Sequence, residues 1–157
     1  MQKITTFFTF DDQAEAAANL YTSLFEDGKI IETTRYGEAG PKPKGTVMTV
    51  TFECAGQRFV ALNGGPNFTF SQGISLSVAT ESQAETDELW ARLEADGGKP
   101  VACGWITDRF GVSWQITPTM LPRLLSNPDR AVANRVMQAM MKMVKIDIAA
   151  LEAAARG

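Results

Sequence analysis

The most informative absence in this 157-residue chain is histidine, of which it has none. Histidine is the commonest metal ligand and the commonest general base in proteins. Its absence excludes a Ser-His-Asp triad or a Cys-His pair built within this chain. A metal site would have to consist of carboxylates, amides or thiolates alone.

Cysteine, net charge and long apolar runs are also scarce. The two cysteines, Cys54 and Cys103, fit a reducing cytosol at least as well as a disulfide. Because the net charge is −3 and there is no long basic run, a nucleic-acid surface is not expected. No apolar stretch approaches the roughly 20 residues of a membrane span, and residues 1–6 lack the apolar core of a signal peptide. We therefore expect a cytoplasmic protein without a nucleic-acid or membrane partner.

The chain contains a weak copy of itself. Residues 11–29 and 81–99 each contain Gln-Ala-Glu, then Leu-aromatic-x-x-Leu, and then a turn that begins with Asp-Gly. Each copy follows a short apolar run that is typical of a strand. Because this period is near half the chain and occurs only twice, it predicts a duplicated βαβ-type module rather than a solenoid.

Periodicity and turn residues predict a similar order of elements in each half. The chain length predicts a single domain, 1–157, with internal modules at 1–65 and 70–118 and a helical tail at 119–157. Asp11 or Asp12 is expected to cap the first helix, and Asp147 the last. The predicted elements are strand 4–10, a helix ending at Gly28, strands 29–36, 46–53 and 58–63, strand 74–78, helix 83–95, strands near 101–106 and 112–116, and a helix from 127.

Two segments could either contribute to a ligand site or have a purely structural role. The loop Gly37–Gly45 is rich in Gly and Pro and suits a lid, although a surface hairpin loop is favoured. In the strand predicted at 74–78 and just before it, Gly73, Ser75 and Ser77 alternate with apolar residues. Their small polar face suits either a concave wall that leaves room for a ligand or a surface that faces solvent.

Two motifs indicate a known family. Residues 63–70 read Asn-Gly-Gly-Pro-x-Phe-x-Phe, and residues 103–118 read Cys-Gly-Trp-x-x-Asp-Arg-Phe-Gly-Val-Ser-Trp-Gln-Ile-x-Pro. They resemble the PhnB-like branch of the vicinal-oxygen-chelate superfamily, which is often labelled demethylubiquinone methyltransferase-like. The superfamily includes glyoxalase I, bleomycin-resistance proteins and extradiol dioxygenases. The resemblance implies an α+β fold in which two βαβββ modules form a curved mixed sheet around a cavity, followed by C-terminal helices, and it implies a homodimer.

The resemblance also locates the positions where a metal would bind. In metal-bearing members four ligands project into the cavity, and by register the equivalent positions here are Thr6, Ala61, Gly73 and Gln115. None of the four carries an imidazole or a carboxylate, although a divalent metal needs several donors. We therefore expect neither a metal nor another cofactor. The methyltransferase label has no support in the sequence, because no Gly-rich strand–helix turn of the kind that binds S-adenosylmethionine is present.

The candidate ligand-binding residues are those expected on the cavity face or at its mouth. Gln115 comes first, because a buried Gln without partners is costly, so that it bonds either a ligand or a neighbour. We expect Thr6, Ser75 and Gln115 to point to the same side of the sheet. For the aromatic residues, core packing is an equal or favoured alternative, and no catalytic residue is assigned. The full set is Gln115, Thr6, Phe8, Ser75, Asn63, Phe68, Phe70 and Trp105.

For three residues of the second motif a structural role is favoured over a functional one. Asp108 and Arg109 are expected to cap a turn and to form a surface ion pair. Cys103 has no histidine partner and no evident group that would stabilise a thiolate, so a structural thiol is favoured over a nucleophile.

Three kinds of function remain open. The first, which we expect, is a metal-independent small-molecule-binding protein of the bleomycin-resistance kind, whose ligand the sequence does not identify. The second is an atypical enzyme of the same superfamily, of the lyase, isomerase or dioxygenase type, or the labelled methyltransferase. The third is an interaction module whose function is to form the homodimer interface.

Overall fold

The chain forms two four-stranded mixed sheets, each with its own helix. The computed structural model describes residues 2–157. It divides into two compact units, Met1–Thr69 and Phe70–Gly157, and each unit holds one βαβββ module. The second unit also holds the C-terminal helices. The predicted α+β fold, with two βαβββ modules followed by C-terminal helices, is therefore confirmed.

The first module has the strand order β1-β4-β3-β2. The outer strand β1 runs parallel to β4, and the other neighbours are antiparallel. Its elements are β1 (Thr6–Phe10), α1 (Ala14–Ser23), β2 (Lys29–Arg35), β3 (Val47–Cys54) and β4 (Gln57–Asn63).

The second module repeats this arrangement with the strand order β5-β8-β7-β6. Here β5 runs parallel to β8, and the other neighbours are antiparallel. The two modules that the sequence predicts as duplicates therefore have the same strand order. The elements are β5 (Leu76–Thr80), α2 (Gln83–Glu94), a 3-10 turn (Ala95–Gly97), β6 (Lys99–Pro100), β7 (Trp105–Thr107) and β8 (Ser113–Pro118).

Helix α1 covers one face of the first sheet through aromatic contacts. The ring of Tyr21 lies 5.8 Å from Phe8 and 6.0 Å from Phe52, and Phe59 stacks on both of these phenylalanines. Neighbouring strands align these rings because Phe52 pairs with Phe59. Burying each such ring stabilises the fold by about 1.5–3 kcal/mol. Since side chains alternate along a strand, this contact defines the helix-covered face for the whole sheet.

Helix α2 covers the corresponding face of the second sheet. The hydroxyls of Thr80 and Thr86 share a buried hydrogen bond of 2.7 Å between β5 and α2. Leu89 and Leu93 of α2 are buried, as is Ile116 of β8. Ile116 shares a face with Thr80, because it pairs with Val78, two residues earlier on the same strand.

The structure corrects three local predictions. The strand predicted near 101–106 is two short strands, β6 (Lys99–Pro100) and β7 (Trp105–Thr107), with a turn between them. The strand predicted at 74–78 lies at Leu76–Thr80, and Ile74, which was expected on the apolar face, is 79% exposed. The first helix has Gln13 at its N-cap without a side-chain bond, so neither Asp11 nor Asp12 caps it.

The tail consists of α3 (Met120–Leu125), α4 (Arg130–Met140) and α5 (Ile148–Arg156). Asp147 accepts a hydrogen bond from the Ala150 N–H, which confirms the predicted cap of the last helix. The sequence did not predict α3. The tail has its own core, formed by Leu121, Val136, Ile146 and Leu151. Within residues 2–157, no helix is long and apolar enough to cross a membrane.

Candidate functional site

The second sheet has a face opposite to α2, which we call the open face. Because Leu76, Val78 and Thr80 face the helix, Ser77 and Ala79 point the other way. Ser77 pairs with Gln115, so Gln115 lies on the open face as well. The same face of β8 carries Thr117 and Ser113, two residues on either side of Gln115.

Gln115 is at the centre of the open face and is held by a neighbour. Its Nε2 atom donates to the Ser75 Oγ atom at 2.8 Å. No other hydrogen bond of the Gln115 side chain occurs within residues 2–157. The amide is therefore oriented by Ser75, and its carbonyl oxygen remains an acceptor for a ligand or for water.

Trp105 lies beside Gln115 on the neighbouring strand. The two residues are direct cross-strand partners, so their side chains share the open face at Cβ separations of about 4.5–5.5 Å. Trp105 is half-buried, whereas Trp90 and Trp114 are 6% and 2% exposed. The structure thus brings together three of the predicted residues, Gln115, Ser75 and Trp105, as an amide, a hydroxyl and an indole.

Sequence reasoning missed two polar residues of this face, Ser113 and Thr117. The Ser113 hydroxyl is buried and has no hydrogen-bond partner among the described residues. Leaving such a group unpaired costs about 1–3 kcal/mol. Its position two residues before Gln115 was the signal that would have placed it on this face.

The turn before β8 is built around a buried carboxylate. Asp108 accepts from the backbone N–H groups of Phe110 at 2.9 Å and Val112 at 3.1 Å, and from the Trp114 Nε1 atom at 2.9 Å. Arg109 forms a long ion pair with Asp96 at 3.6 Å. The turn-capping role of Asp108 and the surface ion pair of Arg109 are therefore confirmed.

Thr6 and Phe8 lie on the helix-covered face of the first sheet, which corrects the expected orientation of Thr6. The Phe8 ring packs against Tyr21, and Thr6 shares its face because it is two residues away. Ala61, which pairs with Phe8, is fully buried on the same face. The predicted register was displaced by one residue, so that Phe7 and Thr9 face away from α1 instead.

Asn63 uses its side chain to hold the first helix. Its Oδ1 atom accepts from the Ala14 N–H at 2.8 Å, and its Nδ2 atom donates to the Val47 carbonyl at 3.1 Å. Its backbone carbonyl also accepts from the Tyr36 hydroxyl. Because both ends of the amide bind the protein, we leave Asn63 out of the site proposed below.

The two phenylalanines of the first motif lie in different units. Phe68 is 55% exposed, and its ring approaches Gly64, where a Cβ atom would lie 3.0 Å from the ring. Phe70 is half-buried and lies beside Gly111, at the turn that leads into β8. Of the two, Phe70 is therefore placed in the same module as Gln115.

A cavity of about 500 Å³ at one end of the first module is a second candidate site. Its cations are already paired, because Arg58 and Lys29 reach Glu53 at 2.7 Å and 3.2 Å. Donation from Arg58 and Lys29 also holds the pKa of Glu53 below its usual value. Since an anion would have to break these pairs, we favour the open face. The cavity is lined by Gln2, Thr5, Asp27, Lys29, Glu53, Gly56, Gln57 and Arg58.

The residues at the positions equivalent to the four metal ligands, Thr6, Ala61, Gly73 and Gln115, do not fit a metal. Thr6 and Ala61 belong to the helix-covered face, and neither Ala61 nor Gly73 has a donor atom in its side chain. In the part of the chain that the structure describes, no three His, Cys, Asp or Glu residues converge in a metal-binding cluster. Burial raises the pKa of the Cys54 thiol to about 11, so this thiol is not poised to act as a thiolate ligand.

Comparison with known proteins gives one family and several related structures. The family model of 3-demethylubiquinone-9 3-methyltransferase matches residues 2–117. The chain is similar to the PhnB protein from Bacillus cereus, with 40% identity and a TM-score of 0.68 over 75% of this chain and 100% of that protein. No curated protein matches the chain.

Two more distant structures show the fold alone. Protein PA1353 from Pseudomonas aeruginosa has 23% identity and a TM-score of 0.61, over 75% of this chain and 98% of that one. The fosfomycin resistance protein FosX from Listeria monocytogenes has 15% identity and a TM-score of 0.51, over 75% of this chain and 93% of that one.

Proposed function

Because this chain belongs to the 3-demethylubiquinone-9 3-methyltransferase-like (PhnB-like) family of the vicinal-oxygen-chelate superfamily, we propose that it binds a small molecule on the open face of its second sheet. The observation that carries the proposal is the Gln115 amide, which Ser75 orients at 2.8 Å beside the half-buried ring of Trp105. An oriented amide next to a flat apolar ring suits a ligand with one hydrogen-bonding group on an aromatic or apolar body.

The ligand that fits this arrangement is uncharged at its centre. Gln115 and its neighbours Ser75, Ser77, Trp105 and Thr117 carry no formal charge, so nothing there would compensate for the desolvation of a buried ion. Binding in this proposal also requires no metal, because Ala61 and Gly73 have no side-chain donor and Thr6 and Gln115 offer only neutral oxygens. Elemental analysis after dialysis is expected to find no stoichiometric transition metal. Near-stoichiometric zinc, nickel, iron or manganese would contradict this.

Methyl transfer, which the family's name describes, is not our proposal for this chain. Enzymes of the common S-adenosylmethionine type bind that cofactor at a Gly-rich strand–helix turn of a doubly wound parallel sheet. Here both sheets are mixed, and the β1–α1 and β5–α2 connections are Asp11-Asp12-Gln13 and Glu81-Ser82. Acidic connections without glycine do not provide such a turn.

A thermal-shift screen tests the proposed site. A panel of uncharged aromatic compounds with carbonyl, amide or hydroxyl groups is expected to include compounds that raise the melting temperature of the protein, because a ligand of the native state stabilises it. Gln115→Ala is expected to abolish that shift while circular dichroism shows an intact fold. Gln13→Ala, which removes an exposed glutamine whose side chain does not cap α1, is the matched control and retains the shift. A Gln115→Ala protein that keeps the full shift would refute the site.

The homodimer implied by the resemblance is part of the proposal and is open to a direct check. We expect light scattering at micromolar concentration to give twice the mass of the 17.1 kDa chain. A monomer mass would contradict the proposed homodimer.

A further inference from the structure

The C-terminal helices lie outside the part of the chain that matches the family. The family model ends at residue 117, and the whole of the Bacillus cereus PhnB protein aligns with only 75% of this chain. About a quarter of the chain is therefore additional to that relative. The way in which this addition contacts the second module indicates what it does.

The segment between α4 and α5 is bonded to the turn that precedes Trp105. The backbone N–H of Cys103 donates to the Met143 carbonyl, and that of Gly104 donates to the Val144 carbonyl, both at 2.8 Å. Cys103 has a positive φ of 55°, which a residue with a side chain rarely adopts. These two bonds hold the turn in that conformation.

The Ile146 side chain packs against one side of the same turn. At Gly104, whose φ is 85°, a Cβ atom would lie 2.9 Å from the Ile116 carbonyl oxygen and 3.0 Å from the Ile146 side chain. The Gly104 carbonyl in turn accepts from the Ile116 N–H at 2.8 Å. The chain therefore passes between Ile146 and β8 at the residue directly before Trp105 and against the residue directly after Gln115.

The segment is anchored to α2 by polar contacts. Gln83 donates to the Ile146 carbonyl at 3.0 Å and accepts from the Ile148 N–H at 2.8 Å. The Lys145 Nζ atom reaches Asp87 at 2.6 Å, and its donation, together with that of Gln83, holds the pKa of Asp87 below its usual value. The anchor therefore ties the segment to the helix that covers the opposite face of the sheet.

We propose that the segment Met143–Ile148 is a positioning element for the open face: it holds the turn Ala102–Gly104 and thereby fixes Trp105 beside Gln115. The claim that this supports ligand binding rests on the proposed function, whereas the claim that it restrains Trp105 does not. The N–H groups of the strained turn thus donate to fixed backbone carbonyls of the tail instead of to water. The residues of the segment are positioning residues, since they act on a ligand only through Trp105.

Acrylamide quenching of tryptophan fluorescence measures the restraint without any ligand. Trp105 dominates the accessible signal, because Trp90 and Trp114 are buried. A Trp105→Phe protein is expected to lose most of the quenchable emission, which confirms the assignment. The double variant Gln83→Ala/Lys145→Ala removes the anchor and is expected to raise the quenching constant roughly twofold, because local opening becomes easier. The single variant Lys145→Ala, which disturbs folding less, is expected to give a smaller rise.

Arg135→Ala is the matched control. Arg135 donates to the Ala154 and Ala155 carbonyls at 2.9 Å, so this change loosens the end of α5 without touching the segment Met143–Ile148. The proposal is overturned if quenching is unchanged in both anchor variants, or if Arg135→Ala raises it equally. If the anchor variants raise quenching while no compound shifts the melting temperature of the wild-type protein, the positioning role stands and the proposed function fails. If compounds bind, their shift is expected to fall in the anchor variants and to persist in Arg135→Ala.

Discussion

The two modules share a strand order but hold their hairpin turns in different ways. In the first module, the β3–β4 turn is held from outside by Asp27, whose carboxylate accepts from the N–H groups of Ala55 and Gly56, both at 2.9 Å. In the second, the β7–β8 turn is held from inside by Asp108, which is 3% exposed. One topology is thus compatible with polar contacts that come from different parts of the chain.

The N-termini of the two helices also receive their hydrogen-bond acceptors from different parts of the chain. Helix α2 has a local cap, because the Ser82 Oγ atom accepts from the Glu85 N–H at 3.1 Å. Helix α1 instead receives its acceptor from Asn63 at the end of β4. A local cap is readable from the sequence as a Ser followed three residues later by Glu. An acceptor supplied by a distant strand is not.

The faces opposite to the helices differ in chemistry. The first sheet presents Phe7, Thr9, Thr49, Thr51, Val60 and Leu62. Thr49 shares a hydrogen bond with Thr34 of the neighbouring strand. The second sheet presents Gln115, whose carbonyl oxygen lacks a partner among residues 2–157. This contrast is the reason for placing the proposed ligand on the second module.

Two equivalent glycines provide the strongest test of the likeness between the modules. A Cβ atom at Gly28 would overlap the Thr22 carbonyl oxygen, and one at Gly98 would overlap the Leu93 carbonyl oxygen. Because backbone atoms cannot move aside, we expect Gly28→Ala and Gly98→Ala each to lower the free energy of unfolding by about 3 kcal/mol or more in urea denaturation. Gly37→Ala, whose Cβ would meet nothing within 4 Å, is the control and should change little. A large loss from only one of the two would break the equivalence.

The two aspartates sharpen the contrast between buried and exposed turns. Asp108→Ala removes the buried acceptor of three hydrogen bonds, one of them from the Trp114 indole, and is expected to cost about 3 kcal/mol in urea denaturation. Asp27→Ala is expected to cost much less, because water can replace an exposed carboxylate. Equal losses would show that exposure does not govern the strength of these turns.

The smallest expected effect is the pH dependence of the Asp27 contact. Hydrogen bonds from Gly56 and Ala55 hold the pKa of Asp27 below its usual value. A carboxyl whose pKa is lowered in the folded state stabilises it fully above the unfolded value and loses that contribution as the pH falls through the folded value. The difference in melting temperature between wild type and Asp27→Asn should therefore be present at pH 7 and shrink below about pH 4. A difference that stays constant down to pH 2 would contradict this.

Much of the fold could be predicted from local sequence. The Gln-Ala-Glu repeat correctly predicted the duplicated module, and Asp147 and Asp108 fulfilled their predicted capping roles because both act within a few residues of their own position. The motif around Trp105 and Gln115 indicated the family that the comparison shows. The role of the tail at the Cys103 turn had no local signal, because its contacts join residues about 40 positions apart.

The sequence by itself determined the α+β class, the order of most elements and the residue types available for chemistry, above all the absence of histidine. These follow from composition, periodicity and turn residues, which are local properties. Only the tertiary structure decided that Thr6 shares the helix-covered face with Phe8 and that Ser75 orients Gln115 on the open face. The physical reason is register: side chains alternate along a strand, so a displacement of one residue moves each of them to the opposite face.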